Sequence, residues 1–156
     1  NRMDEVFVSS TFAGFALSLV AAFETIIMMK ELGNVHEYMH KLGEILIEGG
    51  NANAKKYNLP IEFIGYGPHP VMKINISDDY LNRVVKTYIY QEMNKAGILF
   101  SSSMMIGYIH RREEIDFVLE TMSWIFEKIQ EIGDLKNLEK LLEGEVAAPR
   151  TVRDIQ

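Results

Sequence analysis

Ser9, Ser10 and Thr11 put three hydroxyls where a short apolar run, Val6-Phe7-Val8, gives way to a helical stretch beginning around Phe12. A helix start combines free backbone N–H groups with the positive end of the helix dipole, which suits a phosphate or a carboxylate. The same residue types also serve as an ordinary N-cap. A second candidate is His36-Glu37-Tyr38-Met39-His40, a literal H-E-x-x-H. On a helix this spacing sets two imidazoles on one side for zinc, with the glutamate as general base. Leu46 occupies the position where a third histidine ligand belongs. Val35, Met39, Leu42 and Leu46 share one apolar stripe, and His36 and His40 flank it, about 100–140° away, at the edge of a solvated face. Gly65-Tyr66-Gly67 contains G-x-G, but Pro68 and a strand follow, so it reads as a turn rather than a dinucleotide loop. The sequence shows no Ser-His-Asp set, nucleophile elbow or P-loop.

The elements that must position these residues follow from periodicity and punctuation. A strand is expected over 5–9, a helix over 12–32, a break at Gly33-Asn34, and a second helix from about 35 to 57. Asn34 and Glu37 have capping-box spacing. After Asn58-Leu59-Pro60 come a strand over 62–66, a turn at Gly67-Pro68-His69-Pro70, and an alternating strand over 71–76. Ser77-Asp78-Asp79 caps a helix to about Lys95, with Leu81, Val84, Val85, Tyr88 and Ile89 on its apolar side. Short strands are expected at 98–100 and 106–109 around a Ser101-Ser102-Ser103 turn. A helix then runs from Arg112 to about Glu131 and a Leu-rich one from 135 to 142, and the last dozen residues form a tail. Met122, Phe117, Trp124 and Phe126, at helical spacing, read as core. Helices alternating with strand pairs give an α+β fold: a small, mainly antiparallel sheet with helices on one face.

Composition narrows the function classes. At 156 residues the chain suits one domain, long enough to bury about two-thirds of its unfolded surface. A net charge of −6 supplies no basic footprint for nucleic acid and no polybasic membrane patch. With no cysteine, disulfides and thiolate metal sites are excluded. The stretch from Phe12 to Met29 approaches membrane-spanning length, but Glu24 lies inside it, and a helix apolar nearly all round is expected between protein layers. Asp4 and Glu5 stand where a signal peptide would be basic, and a cytoplasmic location is expected.

Ser9-Ser10-Thr11-Phe12-Ala13-Gly14, followed by the small apolar helix from Ala16 to Ala22, resembles the class III pyridoxal-phosphate aminotransferases, in the branch related to glutamate-1-semialdehyde aminomutase. Three further stretches keep the register: Lys41-Leu42-Gly43-Glu44-Ile45-Leu46, Gln91 to Phe100, and Tyr108-Ile109-His110-Arg111-Arg112-Glu113-Glu114-Ile115-Asp116. The resemblance covers nearly the whole chain but only the C-terminal third of a full-length family member. It departs from the family pattern at Phe15-Ala16, where Asn-Pro commonly follows the glycine, and at Met104-Met105.

The resemblance implies the small C-terminal domain of fold-type I pyridoxal-phosphate transferases. Residues 1–11 would be a strand and turn from the large domain, 12–33 a connecting helix, 34–133 the small domain, and 134–156 a short helix and tail. It implies that Thr11, with Ser10 beside it, binds the phosphate of pyridoxal 5'-phosphate across the interface of a homodimer. An amino donor and an aldehyde or keto compound would be the substrates. It places the Schiff-base lysine, the aspartate on the pyridine nitrogen and the ring-stacking aromatic upstream of residue 1. None of the ten lysines here has a setting that replaces the first, so no catalytic or metal-binding residue is expected in this chain and the fragment alone is expected to be inactive. His110 is expected to hold a strand–helix corner, and the Ser101–Met105 loop lies where relatives contact substrate. Two other readings stand beside this one: a stand-alone, non-catalytic interaction or dimerisation domain using helix 12–32, and a zinc hydrolase through His36 and His40.

Overall fold

A computed structural model describes residues 15–148. The expected strand at 5–9, and Ser9, Ser10 and Thr11 with it, lie outside the described residues. The chain divides into two compact units at Val35. In the first, helix α1 (Ala16–Leu32) begins at Ala16, after an extended Phe15, rather than around Phe12 as the sequence suggests, and ends at Gly33, whose φ of 81° is costly for any residue with a Cβ. Apolar side chains cover α1 on all sides, and none of its residues is buried; Leu17, Val20, Phe23 and Ile26 are all exposed. Among the described residues, no helix is long and apolar enough to cross a membrane.

The second unit begins at His36 and has an α+β architecture. Helix α2 (Val35–Lys56) buries Leu42 and Leu46 of the predicted stripe, with Met39 half-buried, and Ala54 beyond it. In its first turn Glu37 accepts a hydrogen bond from Lys41 Nζ at 2.7 Å. Strands β1 (Ile61–Tyr66) and β2 (His69–Ile74) pair antiparallel from Ile61↔Ile74 to Tyr66↔His69, so the turn is Gly67-Pro68 alone. Phe63, Pro70 and Met72 are buried on one face of this hairpin, while Glu62, Ile64 and Lys73 lie on the other and are exposed. A lone two-stranded hairpin is marginal in water. Burying a side chain such as Phe63 contributes roughly 1.5–3 kcal/mol, which anchors the pair to the helices.

Both edges of the hairpin are occupied. On the outer edge of β1, Asn51 of α2 stands in for a strand: its Oδ1 accepts from Phe63 N and its Nδ2 donates to Phe63 O, each at 2.8 Å. On the edge of β2 lies the 102–106 segment. Met72 N donates to Ser102 O, Met104 N to Pro70 O and Ile106 N to Pro68 O, at 2.7, 2.9 and 2.9 Å. This corrects the expectation of two strands flanking a serine turn. The serines themselves lie against β2, and neither 98–100 nor 106–109 forms a strand. Pro68 and Pro70 have no N–H, so this edge pairs through their carbonyls and the ladder stays short.

Helix α3 (Asp79–Lys95) starts at Asp78, whose Oδ1 accepts from Leu81 N at 3.0 Å, a cap contributing about 1 kcal/mol. It buries Val84, Val85, Tyr88 and Ile89; Leu81 is only half-buried. Helix α4 (Arg112–Ile132) buries Ile115, Met122, Ile125, Phe126 and Ile129. Phe117 and Trp124, expected in the core, are 50% and 48% exposed. They are seven residues apart on the far side from that buried stripe, so helical phase overrides their apolar character. A 3-10 helix, Leu135–Leu141, plugs the core with Leu138. The following segment is strapped to α3 rather than loose. Arg83 donates to Ala147 O, Thr87 Oγ1 accepts from Ala147 N, Gln91 clasps Leu141 O and Glu143 N, and Lys95 bridges Glu92 and Glu143.

Candidate functional site

Two glycines fix where the hairpin meets α2. A Cβ on Gly43 would stand 1.5 Å from Gly67 O, and a Cβ on Gly67 would stand 2.6 Å from His40 Nδ1. Helix and turn therefore touch backbone to backbone, which holds His69 and the 101–106 segment at one end of the unit.

At that end His69 Nε2 and Ser103 Oγ are 2.7 Å apart, both on exposed residues. Ser101 Oγ donates to Ser103 O. Tyr90 of α3 fixes Ser102 from below: its hydroxyl accepts from Ser102 N at 2.5 Å and lies 2.6 Å from Ser102 Oγ. The His69–Ser103 pair joins residues 34 apart in sequence, and no local pattern announces it. Among the described residues no carboxylate bonds the other ring nitrogen of His69, so the pair lacks the third group that orients a catalytic base. It can hold a polar ligand group but is not built to attack one.

Behind the serines, Ile98–Phe100, Met104–Ile106 and the start of α4 enclose a cavity of about 270 Å³. Its walls are apolar, with Ser101, Ser103, His110 and Glu114 as polar groups. Glu114 Oε2 accepts from Arg111 N at 2.6 Å, closing the first turn of α4. His110 Nδ1 accepts from Gly107 N at 2.8 Å, which fixes the proton of the neutral ring on Nε2. Tyr38 OH donates to His110 O at 2.8 Å, and the Tyr38 and Tyr108 rings meet edge to face at 5.5 Å. His110 thus holds the approach to α4, with a turn rather than a strand before it.

The H-E-x-x-H residues do not converge. His36 is exposed; His40 packs edge-on against Tyr66 at 4.1 Å, with its Nδ1 3.9 Å from Glu44. Among the described residues no three His, Cys, Asp or Glu side chains stand close enough to share a metal ion. Four of the lysines are equally uninviting as nucleophiles. Hydrogen bonds donated to Glu143 and then Glu92 hold the Lys95 ammonium well above its ordinary range. Glu37 raises Lys41, Tyr57 raises Lys56 and Glu131 raises Lys128 in the same direction. A Schiff-base lysine needs the opposite perturbation.

No family model matches the chain. It is 25% identical over 136 residues to glutamate-1-semialdehyde 2,1-aminomutase 1 of Staphylococcus carnosus (strain TM300), a match covering 80% of this chain and 31% of that protein. The fold is similar to that of the FumI protein of Sphingopyxis sp. MTA144, solved in its PLP internal aldimine form. There the TM-score is 0.67 and the identity 20%, over 89% of this chain and 33% of that one. An omega-transaminase from Sphaerobacter thermophilus gives a TM-score of 0.65 and 12% identity, over 78% of this chain and 30% of that one. The chain thus spans about a third of the length of these relatives. In fold the chain is similar to the FumI protein and the omega-transaminase, and in sequence it is similar to the aminomutase.

Proposed function

We propose that these residues are the C-terminal part of a pyridoxal-phosphate-dependent aminotransferase or aminomutase of the glutamate-1-semialdehyde aminomutase type. The observation that carries this reading is the sequence likeness to the aminomutase over 136 residues, on a fold similar to that of the PLP-bound FumI protein and an omega-transaminase. Bound pyridoxal phosphate supplies the electron sink that amino-group exchange requires. Thr11, helped by Ser10, donates hydroxyl hydrogen bonds to the cofactor phosphate of the neighbouring subunit, which ties cofactor retention to a homodimer. Donor chemistry fits this share of the work, since a doubly charged phosphate takes hydroxyl donors. This reading assigns covalent attachment to a lysine upstream of these residues; carboxylates or a tyrosine favour the protonated form of Lys41, Lys56, Lys95 and Lys128, which makes those four poor substitutes. The Ser101–Met105 loop and His69 face the substrates, an amino donor and an aldehyde or keto acceptor, in a cytoplasmic enzyme.

The test is Thr11→Val in the longer polypeptide that carries these residues, with cofactor retention read by equilibrium dialysis. Losing a hydrogen bond to a charged group costs roughly 1.5–3 kcal/mol, or about 10–100-fold in affinity. Retention and activity equal to the unsubstituted enzyme refute the assignment. The exposed apolar surface of α1 favours a second reading, a non-catalytic domain that binds a partner chain or itself. A stable, cofactor-free dimer in light scattering supports that reading, and a monomer with no partner counts against it.

A further inference from the structure

Beside β2 lies a second groove, which shares Ser103 with the serine-lined cavity. Its apolar lining is Ile64 and Val71 from the exposed face of the hairpin and Met72 and Ile74 from the opposite face, and Asn82 and Lys86 of α3 form one wall. Ser102 and Ser103 close one end, Lys73 stands on the rim, and the volume is about 480 Å³, within the range of small-molecule sites. Asn82, Lys86 and Tyr90 share one face of α3 at four-residue steps, so the wall is set by the same helix whose next face fills the core.

The charge on this groove runs against the rest of the molecule. The chain carries 22 acidic and 16 basic residues, yet no acidic side chain lines the groove and two lysines do. Neither ammonium has a carboxylate partner among the described residues, whereas Lys41, Lys95 and Lys128 each have one. Lys86 Nζ lies 5.6 Å from the Tyr90 ring centroid, which keeps it along the wall. Glu62 is the cross-strand neighbour of Lys73, but no ion pair joins them. Asn82 spends its amide on Ile74 O and Ile76 O, fixing the groove's end rather than competing for an anion.

We propose that this groove binds an amphiphilic organic anion, a carboxylate or phosphate monoester on an aryl or alkyl body. The head group sits between Lys73 and Lys86 within reach of the Ser102 and Ser103 hydroxyls, and the apolar body lies on Ile64 and Val71. The site is independent of Thr11 and of the cofactor role. The test uses the 156-residue chain, titrated with 2-naphthyl phosphate, 2-naphthoate and neutral 2-naphthol while backbone amide NMR shifts are followed. Both anions are expected to move the amides of Lys73, Ile74, Ser102 and Ser103 and to bind about tenfold or more tightly than the naphthol. The double variant Lys73→Gln/Lys86→Gln, whose sites are on the surface and outside the core, should erase that preference and leave the circular dichroism unchanged. Raising the salt should weaken the anions and leave the naphthol unaffected. Equal binding of the neutral probe, an unaffected double variant, shifts confined to another surface, or no anion binding up to about 10 mM would each overturn the proposal.

Discussion

Gly43→Ala is the substitution on which the packing argument can be checked most sharply. In isolation alanine favours a helix interior over glycine by about 1 kcal/mol, so α2 itself should gain. The structure opposes that gain with backbone: the new Cβ would stand 1.5 Å from Gly67 O, 2.2 Å from Gly67 C and 2.9 Å from Gly67 Cα. Ordinary contact begins at 3.4 Å, so α2 and the hairpin turn must separate by about 1.9 Å (3.4 minus 1.5). Such a shift loosens the packing around Leu42, Leu46 and Phe63, which are all buried. Overpacking together with the cavity it opens costs about 3–5 kcal/mol, leaving a net loss of about 2–4. For a unit of this size that is a drop of roughly 8–16 °C in Tm. Gly49→Ala is the matched control, since its Cβ meets only the flexible end of Leu119, at 2.6 and 2.8 Å. Urea unfolding followed by circular dichroism should leave Gly49→Ala within about 1 kcal/mol of the parent. A Gly43→Ala chain as stable as Gly49→Ala would refute the backbone contact.

Asn51→Ala removes both bonds to the Phe63 backbone and should cost about 1–3 kcal/mol, with faster amide exchange at Phe63; unchanged exchange would contradict the edge-cap role. Tyrosinate absorbance on raising pH should show one phenol ionising early. The Lys56 ammonium and then the Ser123 hydroxyl hold Tyr57 below its ordinary value of about 10, so its stabilising contribution is present above that pH and fades as pH falls through the lowered one. Tyr80, bonded to Glu139, and Tyr88, desolvated by burial, are pushed the other way; their contribution is complete below about pH 10 and is lost as pH rises through their folded values. Tyr57→Phe should delete the early component alone.

Much of this architecture is legible in the chain. Periodicity located α2, α3 and α4 to within about two residues, and Asp78 announced its own helix. What periodicity misses is what pairs at a distance. Asn51 interrupts an apolar helix beside Gly49 and Gly50, and only the fold reveals it as the partner of β1. The serines at 101–103 carry turn chemistry, yet the free edge of β2 recruits them into pairing. Phe117 and Trp124 show the limit of hydrophobicity without phase. At the site, the H-E-x-x-H spelling is clear in sequence, but His40 turns onto Tyr66, a residue 26 positions away. The His69–Ser103 pair and the Lys73–Lys86 groove depend on tertiary placement and have no local signature.

The central claim is that these residues complete a cofactor site whose attachment lysine lies upstream of them. Its most direct test is borohydride reduction of the native polypeptide carrying this sequence, followed by peptide mapping. The account predicts one pyridoxyl-labelled lysine on a peptide shortly before Val6, and none on the ten lysines between Lys30 and Lys140. Stoichiometric label on one of those ten, or a native polypeptide that takes up no label at all, would contradict it.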